Sequence, residues 1–129
     1  MNQLTEGAPI LVVEDDFLIA SQAEVALQDA GFTLIGVAAS AEEAIRLATV
    51  HRPALVIMDI RLAGKRDGVD AAIELFSEHG IRSIFATAHT DQSVIQRAAP
   101  ANPIAWLQKP YSTESLIATV RQALRRSQP

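Results

Sequence analysis

Acidic residues follow two short apolar segments of the sequence. Glu14, Asp15 and Asp16 come directly after the first segment, and Asp59 ends the second, which spans 54–59. Short runs rich in Val and Ile are typical of strands buried on both faces of a parallel sheet. The ends of such strands lie at the carboxyl edge of the sheet, where open α/β folds bind ligands. Carboxylates at that edge could bind a metal ion or act as nucleophiles, but each could also cap a helix or a turn.

Two further polar residues end later apolar runs of the chain. Thr87 ends the run that starts at Ile81, and Lys109 follows the run that starts at Ile104. Clustered carboxylates repel one another, and such a cluster is tolerated when a cation such as Mg²⁺ lies among them. With a hydroxyl and an ammonium nearby, the set would suit a phosphoryl group on Asp59. Taken singly, Thr87 could instead satisfy a backbone group, and Lys109 could be a solvated surface residue.

Five apolar runs alternate with five segments of helical periodicity, and these elements would position the polar residues. The strands are predicted at 10–13, 32–38, 54–59, 81–87 and 104–108. The alternation predicts an α/β fold with a doubly wound five-stranded parallel sheet, helices on both faces and the flavodoxin-like order 2-1-3-4-5. We expect one domain over 9–126, between a disordered segment 1–8 and a tail 127–129. The fourth helix is predicted over 90–99, and Pro100 and Pro103 should keep it from running on.

The composition excludes several functional classes. The chain has 129 residues, a net charge of −4 and no cysteine, so a disulfide framework, a thiolate metal site and a cysteine nucleophile are excluded. The first residues lack the features of a signal peptide, and no apolar run approaches the length of a membrane span. The basic residues Arg121, Arg125 and Arg126 suit the end of a helix better than a nucleic-acid surface. We therefore expect a cytoplasmic protein that binds neither membranes nor nucleic acids.

The combined motifs resemble the receiver domain of bacterial two-component response regulators, from Ile10 to about Leu124. They read Leu-Val-Val-Glu14-Asp15-Asp16, Val-Ile-Met-Asp59-Ile, Asp67-Gly68, Phe-Ala-Thr87-Ala88 and Lys109-Pro110-Tyr111. The resemblance implies a stand-alone, chemotaxis-regulator-like response regulator that accepts a phosphoryl group from a sensor histidine kinase or a histidine phosphotransfer protein. Because the chain ends at Pro129, its output is expected through a partner protein; the alternative is a chain that relays or drains phosphate. Apart from taking up and losing its own phosphoryl group, it would not be an enzyme.

The resemblance also implies roles for individual residues. Asp59 would be the phosphoacceptor, because it occupies the position of the acceptor aspartate in the family's motif. Thr87 would be the switch hydroxyl, and Lys109 the lysine that binds the phosphate. The Lys109–Pro110 peptide bond is expected to be cis, which proline makes feasible.

A magnesium site is implied at the same edge of the sheet. Asp15 would bind Mg²⁺ directly and Glu14 through water, with Asp59 and the backbone carbonyl of Arg61 as further contacts. Asp59 and Asp67 are one residue further apart than in many relatives, and the loop between them lacks the usual proline. The shape of this loop, and with it the place of the Arg61 carbonyl, is therefore left open.

Four side chains have less specific implied roles. Trp106 stands where the family often has a tyrosine or phenylalanine switch, although it could equally be a packing or binding-surface aromatic. Trp106 and Tyr111 are expected on the partner surface formed by the fourth helix, the fifth strand and the last helix. Arg61 and His89 each lie two residues after a site residue. We hypothesise that they control the access of water to the phosphoryl group; otherwise they are exposed polar residues.

Two other functions are compatible with these residue types. A metal-dependent phosphatase with an aspartyl-phosphate intermediate would use a similar set, but such enzymes typically have a second aspartate where Arg61 stands, and a cap domain. A receiver that has lost phosphorylation would be a pure binding module, and the presence of Asp59, Thr87 and Lys109 together argues against it. Nucleotide binding is disfavoured, because no glycine-rich loop follows any strand.

Overall fold

Strands and helices alternate along residues 7–126, the part of the chain that this computed structural model describes. The strands are β1 (Pro9–Val13), β2 (Thr33–Ala38), β3 (Leu55–Asp59), β4 (Ser83–Thr87) and β5 (Ala105–Gln108). The helices are α1 (Phe17–Asp29), α2 (Ala41–His51), α3 (Gly68–His79), α4 (Gln92–Ala98) and α5 (Thr113–Arg126). Over residues 7–126, no helix combines the length and the apolarity that crossing a membrane requires.

The five strands form one parallel sheet in the order β2-β1-β3-β4-β5, which confirms the predicted fold class and strand order. Helices α1 and α5 pack on one face of the sheet, and α2, α3 and α4 pack on the other. In β3, the side chains of Leu55 and Ile57 pack on the α1 and α5 side, whereas those of Val56 and Met58 pack on the side of α2, α3 and α4. Both faces of the strand are therefore buried, which explains why it reads as an unbroken apolar run.

Polar side chains determine where several helices begin. Asp16 caps α1, because its carboxylate accepts from the backbone N–H groups of Leu18 at 3.0 Å and Ile19 at 3.2 Å. Among the three acids after β1, Asp16 is thus a capping residue, which is one of the alternatives that the sequence allows. The Ser112 hydroxyl accepts from the N–H of Ser115 at 3.0 Å in the same way at the start of α5.

The N-terminal boundary of the fold differs from the prediction. The segment 1–8 is predicted to be disordered, but Gly7 and Ala8 are hydrogen-bonded to the chain around the start of β2. The Gly7 N–H donates to the Gly31 carbonyl at 3.2 Å, and the Ala8 carbonyl accepts from the Thr33 N–H at 3.1 Å. These bonds extend the pairing of β1 with β2, so the prediction is wrong for these two residues. The first six and the last three residues lie outside the described part of the chain.

The fourth helix ends just before Pro100, as predicted, although it begins two residues later than expected. The α4 helix begins after Asp91, which caps it, and is followed directly by a 3₁₀ turn over Ala99–Ala101. Pro100 lies at the start of this turn, where a missing N–H group costs no hydrogen bond. The helical path therefore continues for one further turn and ends at Asn102, which has a φ of +49°.

Candidate functional site

All of the predicted site residues except Trp106 and Tyr111 line one pocket at the carboxyl edge of the sheet. Glu14 and Asp15 follow β1, Asp59 and Thr87 end β3 and β4, and Lys109 follows β5. The strands β1, β3, β4 and β5 are consecutive neighbours in the sheet and run in the same direction, so their ends meet. Glu14 and Lys109, which are 95 positions apart in the chain, thereby come into direct contact.

Three carboxylates cluster in this pocket. Glu14, Asp15 and Asp59 each offer one oxygen atom, and these oxygens all lie within 4.8 Å of one another. Glu14 and Asp59 are only 5% and 6% exposed, whereas Asp15 is exposed to solvent. Mg²⁺ prefers oxygen ligands and usually keeps several waters, so a carboxylate cluster with one open side suits it. The donor set therefore fits Mg²⁺.

The Lys109 ammonium group lies beside the two buried carboxylates. Its Nζ atom donates to Oε1 of Glu14 at 2.7 Å and is 3.5 Å from Oδ1 of Asp59. The other Glu14 oxygen, Oε2, accepts from the backbone N–H of Asp16 at 3.1 Å. Glu14 thus holds the lysine in place, a pairing that sequence reasoning missed because each residue was considered only against a ligand. The Lys109–Pro110 peptide bond is cis, as predicted.

The electrostatics of the pocket depend on burial and on Glu14. Burial is the main reason why the pKa of Asp59 rises from 3.8 to about 7, and the hydrogen bond and charge of Glu14 raise it further, against the opposing effect of Lys109. The pKa of Lys109 is also raised, because Glu14 and Asp59 together outweigh the opposing effect of burial. The lysine is therefore charged at neutral pH, whereas a large fraction of metal-free molecules carry a proton on Asp59.

The Thr87 hydroxyl is bonded to the segment that follows β4. Its Oγ1 atom donates to the backbone carbonyl of His89 at 2.8 Å and accepts from the His89 N–H at 3.2 Å. Thr87 therefore satisfies backbone groups here, which is the alternative that the sequence allows. A hydroxyl has one proton, so Thr87 would have to leave the His89 carbonyl before donating to a group on Asp59.

The loop between β3 and α3 has a shape that the sequence left open. The N–H of Gly68 donates to the carbonyl of Ile60 at 2.8 Å, which closes the loop at its base. Ala63 pairs with Ser40 in a parallel β-bridge, which attaches the middle of the loop to the start of α2. Arg61 lies between these two points, and its exposed side chain lines the pocket together with that of His89. Both residues are therefore exposed to solvent at the pocket that contains Asp59.

The Asp67-Gly68 pair has a structural role that the motif alone did not reveal. Asp67 caps α3 by accepting from the N–H of Asp70 at 3.0 Å, and the Asp70 carboxylate accepts from the N–H of Asp67, also at 3.0 Å. A Cβ atom on Gly68 would lie 1.8 Å from the backbone oxygen of Asp59. The start of α3 can lie against β3 only because residue 68 has no side chain.

The two aromatic residues expected on one partner surface lie on opposite faces of the sheet. Trp106 packs against the layer of α2, α3 and α4, and its ring lies 5.0 Å from that of Phe85 with an angle of 35° between the planes. Tyr111 packs against the other layer and lines a groove between α1 and α5 with Val25 and Leu116. The predicted partner surface itself combines α4 from one layer with α5 from the other, so the place of Tyr111 on it stays a prediction. Because β5 ends at Gln108, strand alternation does not determine the side on which Tyr111 lies.

Comparison with known proteins identifies relatives of the chain. A model of the response regulator receiver domain family matches residues 10–121. The chain is 36% identical over 117 residues to the transcriptional regulatory protein PdtaR of Mycobacterium tuberculosis, covering 91% of this chain and 57% of PdtaR. It is also 36% identical over 117 residues to the phyllosphere-induced regulator PhyR of Methylorubrum extorquens, covering 89% of this chain and 43% of PhyR. The chain thus spans about half the length of these curated relatives.

Solved structures share the fold. The signal receiver domain of a modulated diguanylate cyclase from Desulfovibrio desulfuricans matches with a TM-score of 0.85 and 33% identity, covering 93% of this chain and 95% of that one. The chemotaxis protein CheY4 of Vibrio cholerae matches in fold alone, with a TM-score of 0.83, 24% identity and coverage of 90% and 98%. The fold, the acidic pocket and the match over residues 10–121 agree, and the chain belongs to the response regulator receiver domain family.

Proposed function

We propose that Asp59 accepts a phosphoryl group from a phosphohistidine of a sensor kinase or a phosphotransfer protein. The observation that carries this proposal is the Lys109 ammonium, 3.5 Å from Asp59 and held there by Glu14. The arrangement combines a carboxylate nucleophile with a positive charge and, through Asp15, an accessible metal ligand. Membership of the receiver domain family supports the same chemistry.

In the proposed step, a carboxylate oxygen of Asp59 forms a bond to phosphorus while the bond between phosphorus and the imidazole nitrogen breaks. The imidazole leaves with the electron pair, and the proton of Asp59 must be lost before the attack. Lys109 neutralises the negative charge of the phosphoryl oxygens, and Glu14 keeps its ammonium in place. Mg²⁺, held by Asp15, Asp59 and the Arg61 carbonyl and by Glu14 through water, would supply further positive charge at these oxygens.

Signalling in this proposal begins at Thr87. Its hydroxyl would stop donating to the His89 carbonyl and donate to a phosphoryl oxygen instead, which releases the segment just before α4. A change in α4, β5 and α5 would then be read by a downstream protein, with Trp106 acting on this surface as a switch or a packing residue. The role requires no nucleic acid and no membrane, and it would place the chain in the cytoplasm.

The test is uptake of a phosphoryl group from acetyl phosphate in the presence of Mg²⁺. We expect intact-mass spectrometry to show one phosphoryl adduct on the wild type and none on Asp59→Asn. Asp16→Asn is the matched control, because Asp16 is an acid at the same edge that serves as a helix cap. It should keep the adduct.

The same experiment separates the other candidate functions. Absence of an adduct on the wild type would refute the proposal and leave a phosphorylation-independent binding module. Rapid hydrolysis of a generic phosphate ester would instead indicate a phosphatase, and we expect no turnover of such an ester.

Arg61 and His89 are proposed to control how long the phosphoryl group survives. Both side chains are exposed and line the pocket that contains Asp59, where they can obstruct or orient an attacking water. We expect the double variant Arg61→Ala, His89→Ala to change the rate at which the adduct decays without changing the acceptor site. A decay rate equal to that of the wild type would contradict this role.

The affinity for Mg²⁺ is expected to increase with pH. A proton on Asp59 competes with the metal, and with a pKa of about 7 the carboxylate is mostly protonated at pH 6 and mostly ionised at pH 8. We therefore predict that Mg²⁺ binds about tenfold more tightly at pH 8 than at pH 6, and that at pH 6 Asp59 releases nearly one proton for each Mg²⁺ bound. Calorimetry in buffers of different ionisation enthalpy measures both quantities.

The same pKa fixes how the stability of the metal-free protein depends on pH. The folded-state pKa of Asp59 is raised above its ordinary value of 3.8, so the folded state retains a proton that the unfolded state loses between about pH 4 and 7. The free energy of unfolding should fall as the pH rises through this interval. In Asp59→Asn this contribution is absent, and identical pH profiles for the variant and the wild type would contradict the assignment.

A further inference from the structure

The α4 helix is weakly anchored in the core. It has seven residues, and Ala98 is the only one of them that is fully buried. Val94 is half-buried and packs against the apolar layer, whereas Ile95 is 38% exposed. Little apolar burial therefore determines where this helix lies, and polar contacts become important.

An ion pair connects α4 to the start of α3. The Arg97 guanidinium donates to both oxygens of Asp67, with Nη2–Oδ2 at 2.5 Å and Nη1–Oδ1 at 3.4 Å, and its Nη1 atom is 3.8 Å from Oδ1 of Asp70. Contact with both carboxylate oxygens of Asp67 fixes the direction of the arginine as well as its distance. Arg97 belongs to α4, and both acids belong to the capped start of α3.

The partner of Arg97 lies against the backbone of Asp59. Asp67 directly precedes Gly68, whose Cα approaches the Asp59 carbonyl so closely that no side chain fits between them. The N–H of Gly68 also donates to the carbonyl of Ile60. The end of β3 that carries Asp59 is thus connected through the start of α3 to Arg97, and through Arg97 to α4.

The other end of α4 is connected to Thr87. The Thr87 hydroxyl bonds to the carbonyl and the N–H of His89, and Asp91, two residues further on, caps α4 by accepting from the N–H of Val94 at 3.0 Å. A shift of the Thr87 hydroxyl toward Asp59 would break its bond to the His89 carbonyl and allow this segment and the start of α4 to move. Arg97 holds the opposite end of the helix against such movement.

We propose that Arg97 is a positioning residue that holds α4 in the unphosphorylated arrangement through Asp67 and Asp70, and so opposes the switch. The inference rests on the proposed function, because it assumes that Thr87 moves when Asp59 carries a phosphoryl group. A group on Asp59 that favours the shifted position of α4 is then thermodynamically linked to the Arg97 ion pair: its binding promotes release of the pair, and release of the pair promotes its binding. Weakening the pair must strengthen the binding of a phosphoryl mimic.

The test compares Arg97→Gln with Arg66→Gln and uses beryllofluoride as the phosphoryl mimic. Arg66 pairs with Glu74 at 2.7 Å at similar exposure, but this pair lies between the β3–α3 loop and α3 itself. Exposed ion pairs contribute little, so we expect Arg97→Gln to bind beryllofluoride about two- to fivefold more tightly than the wild type, and Arg66→Gln to be unchanged. Arg97→Lys should lie between Arg97→Gln and the wild type, since it keeps the charge but loses the two-point contact.

Amide hydrogen exchange of the unmodified protein provides a second readout that does not require phosphorylation. Amides of α4 should exchange faster in Arg97→Gln than in the wild type or in Arg66→Gln. Unchanged or weaker beryllofluoride binding in Arg97→Gln would overturn the proposal, because a purely structural role predicts weaker binding. If the wild type takes up neither beryllofluoride nor a phosphoryl group from acetyl phosphate, the proposed function fails. If uptake is normal but the α4 amides exchange equally fast in Arg97→Gln and in the wild type, only the role of Arg97 is refuted.

Discussion

Replacement of Lys109 by glutamine is expected to slow phosphoryl uptake from acetyl phosphate by about 10²- to 10³-fold. The lysine is the positive side chain that lies 2.7 Å from Glu14 and 3.5 Å from Asp59. Without it, the two buried carboxylates repel each other, the pKa of Asp59 rises further, and the phosphoryl oxygens lose their nearest cation. Time-resolved mass spectrometry of the Asp59 adduct measures the rate.

The chain offers a matched control for this prediction. Lys65, the only other lysine in the sequence, is exposed in the loop between β3 and α3. Lys65→Gln removes the same charge and should leave the rate of uptake unchanged. Lys109→Arg should be intermediate, because it restores the charge on a larger group with a different shape. Equal rates for Lys109→Gln and Lys65→Gln would show that the ammonium does not act on the phosphoryl group.

Replacement of Gly68 by alanine is expected to lower the free energy of unfolding by about 3 kcal/mol. The added methyl group would lie 1.8 Å from the backbone oxygen of Asp59 and 3.0 Å from Cα of Ile60, which are backbone atoms that cannot rotate away. The start of α3 would have to withdraw from β3, and the hydrogen bond from the Gly68 N–H to the Ile60 carbonyl would weaken. Urea denaturation followed by circular dichroism measures the loss.

Gly36→Ala is the control for a glycine without this constraint. In β2, a Cβ atom on Gly36 would meet only Cδ1 of Leu47, at an ordinary contact distance of 3.8 Å. We expect this variant to be as stable as the wild type, or more stable by up to about 1 kcal/mol, because alanine reduces the conformational entropy of the unfolded chain. Similar losses in Gly68→Ala and Gly36→Ala would mean that the contact with Asp59 is not the cause.

The sequence predicted the fold because the two periodicities are strong and the chain alternates regularly between them. Apolar runs that lack a polar face indicate strands covered on both sides, and this condition admits few arrangements other than a parallel sheet between helices. The site followed from the same geometry. Parallel strands all end at one edge, so Asp59, Thr87 and Lys109 could be expected together although they are widely separated along the chain.

Short segments outside the regular elements hold details that the sequence did not reveal. Ala8 is held by a backbone hydrogen bond to Thr33, which composition cannot reveal. The α-helical part of α4 ends before Pro100 as expected, but the 3₁₀ turn Ala99–Ala101 that contains this proline was not anticipated. Tyr111 lies beyond the end of β5, where no periodicity determines its side, and it packs on the layer of α1 and α5, whereas Trp106 packs on the other layer.

The sequence by itself determined which residue types stand at the strand ends, and thereby the family and the chemistry that the pocket can offer. Only the tertiary structure decided which of these groups touch: Lys109 with Glu14, Gly68 with the backbone of Asp59, and Arg97 with Asp67. The physical reason is that periodicity reports which way a residue faces within one element. Whether two side chains on different elements are close enough for a hydrogen bond or an ion pair depends instead on how whole layers pack, because these interactions require distances of a few ångströms.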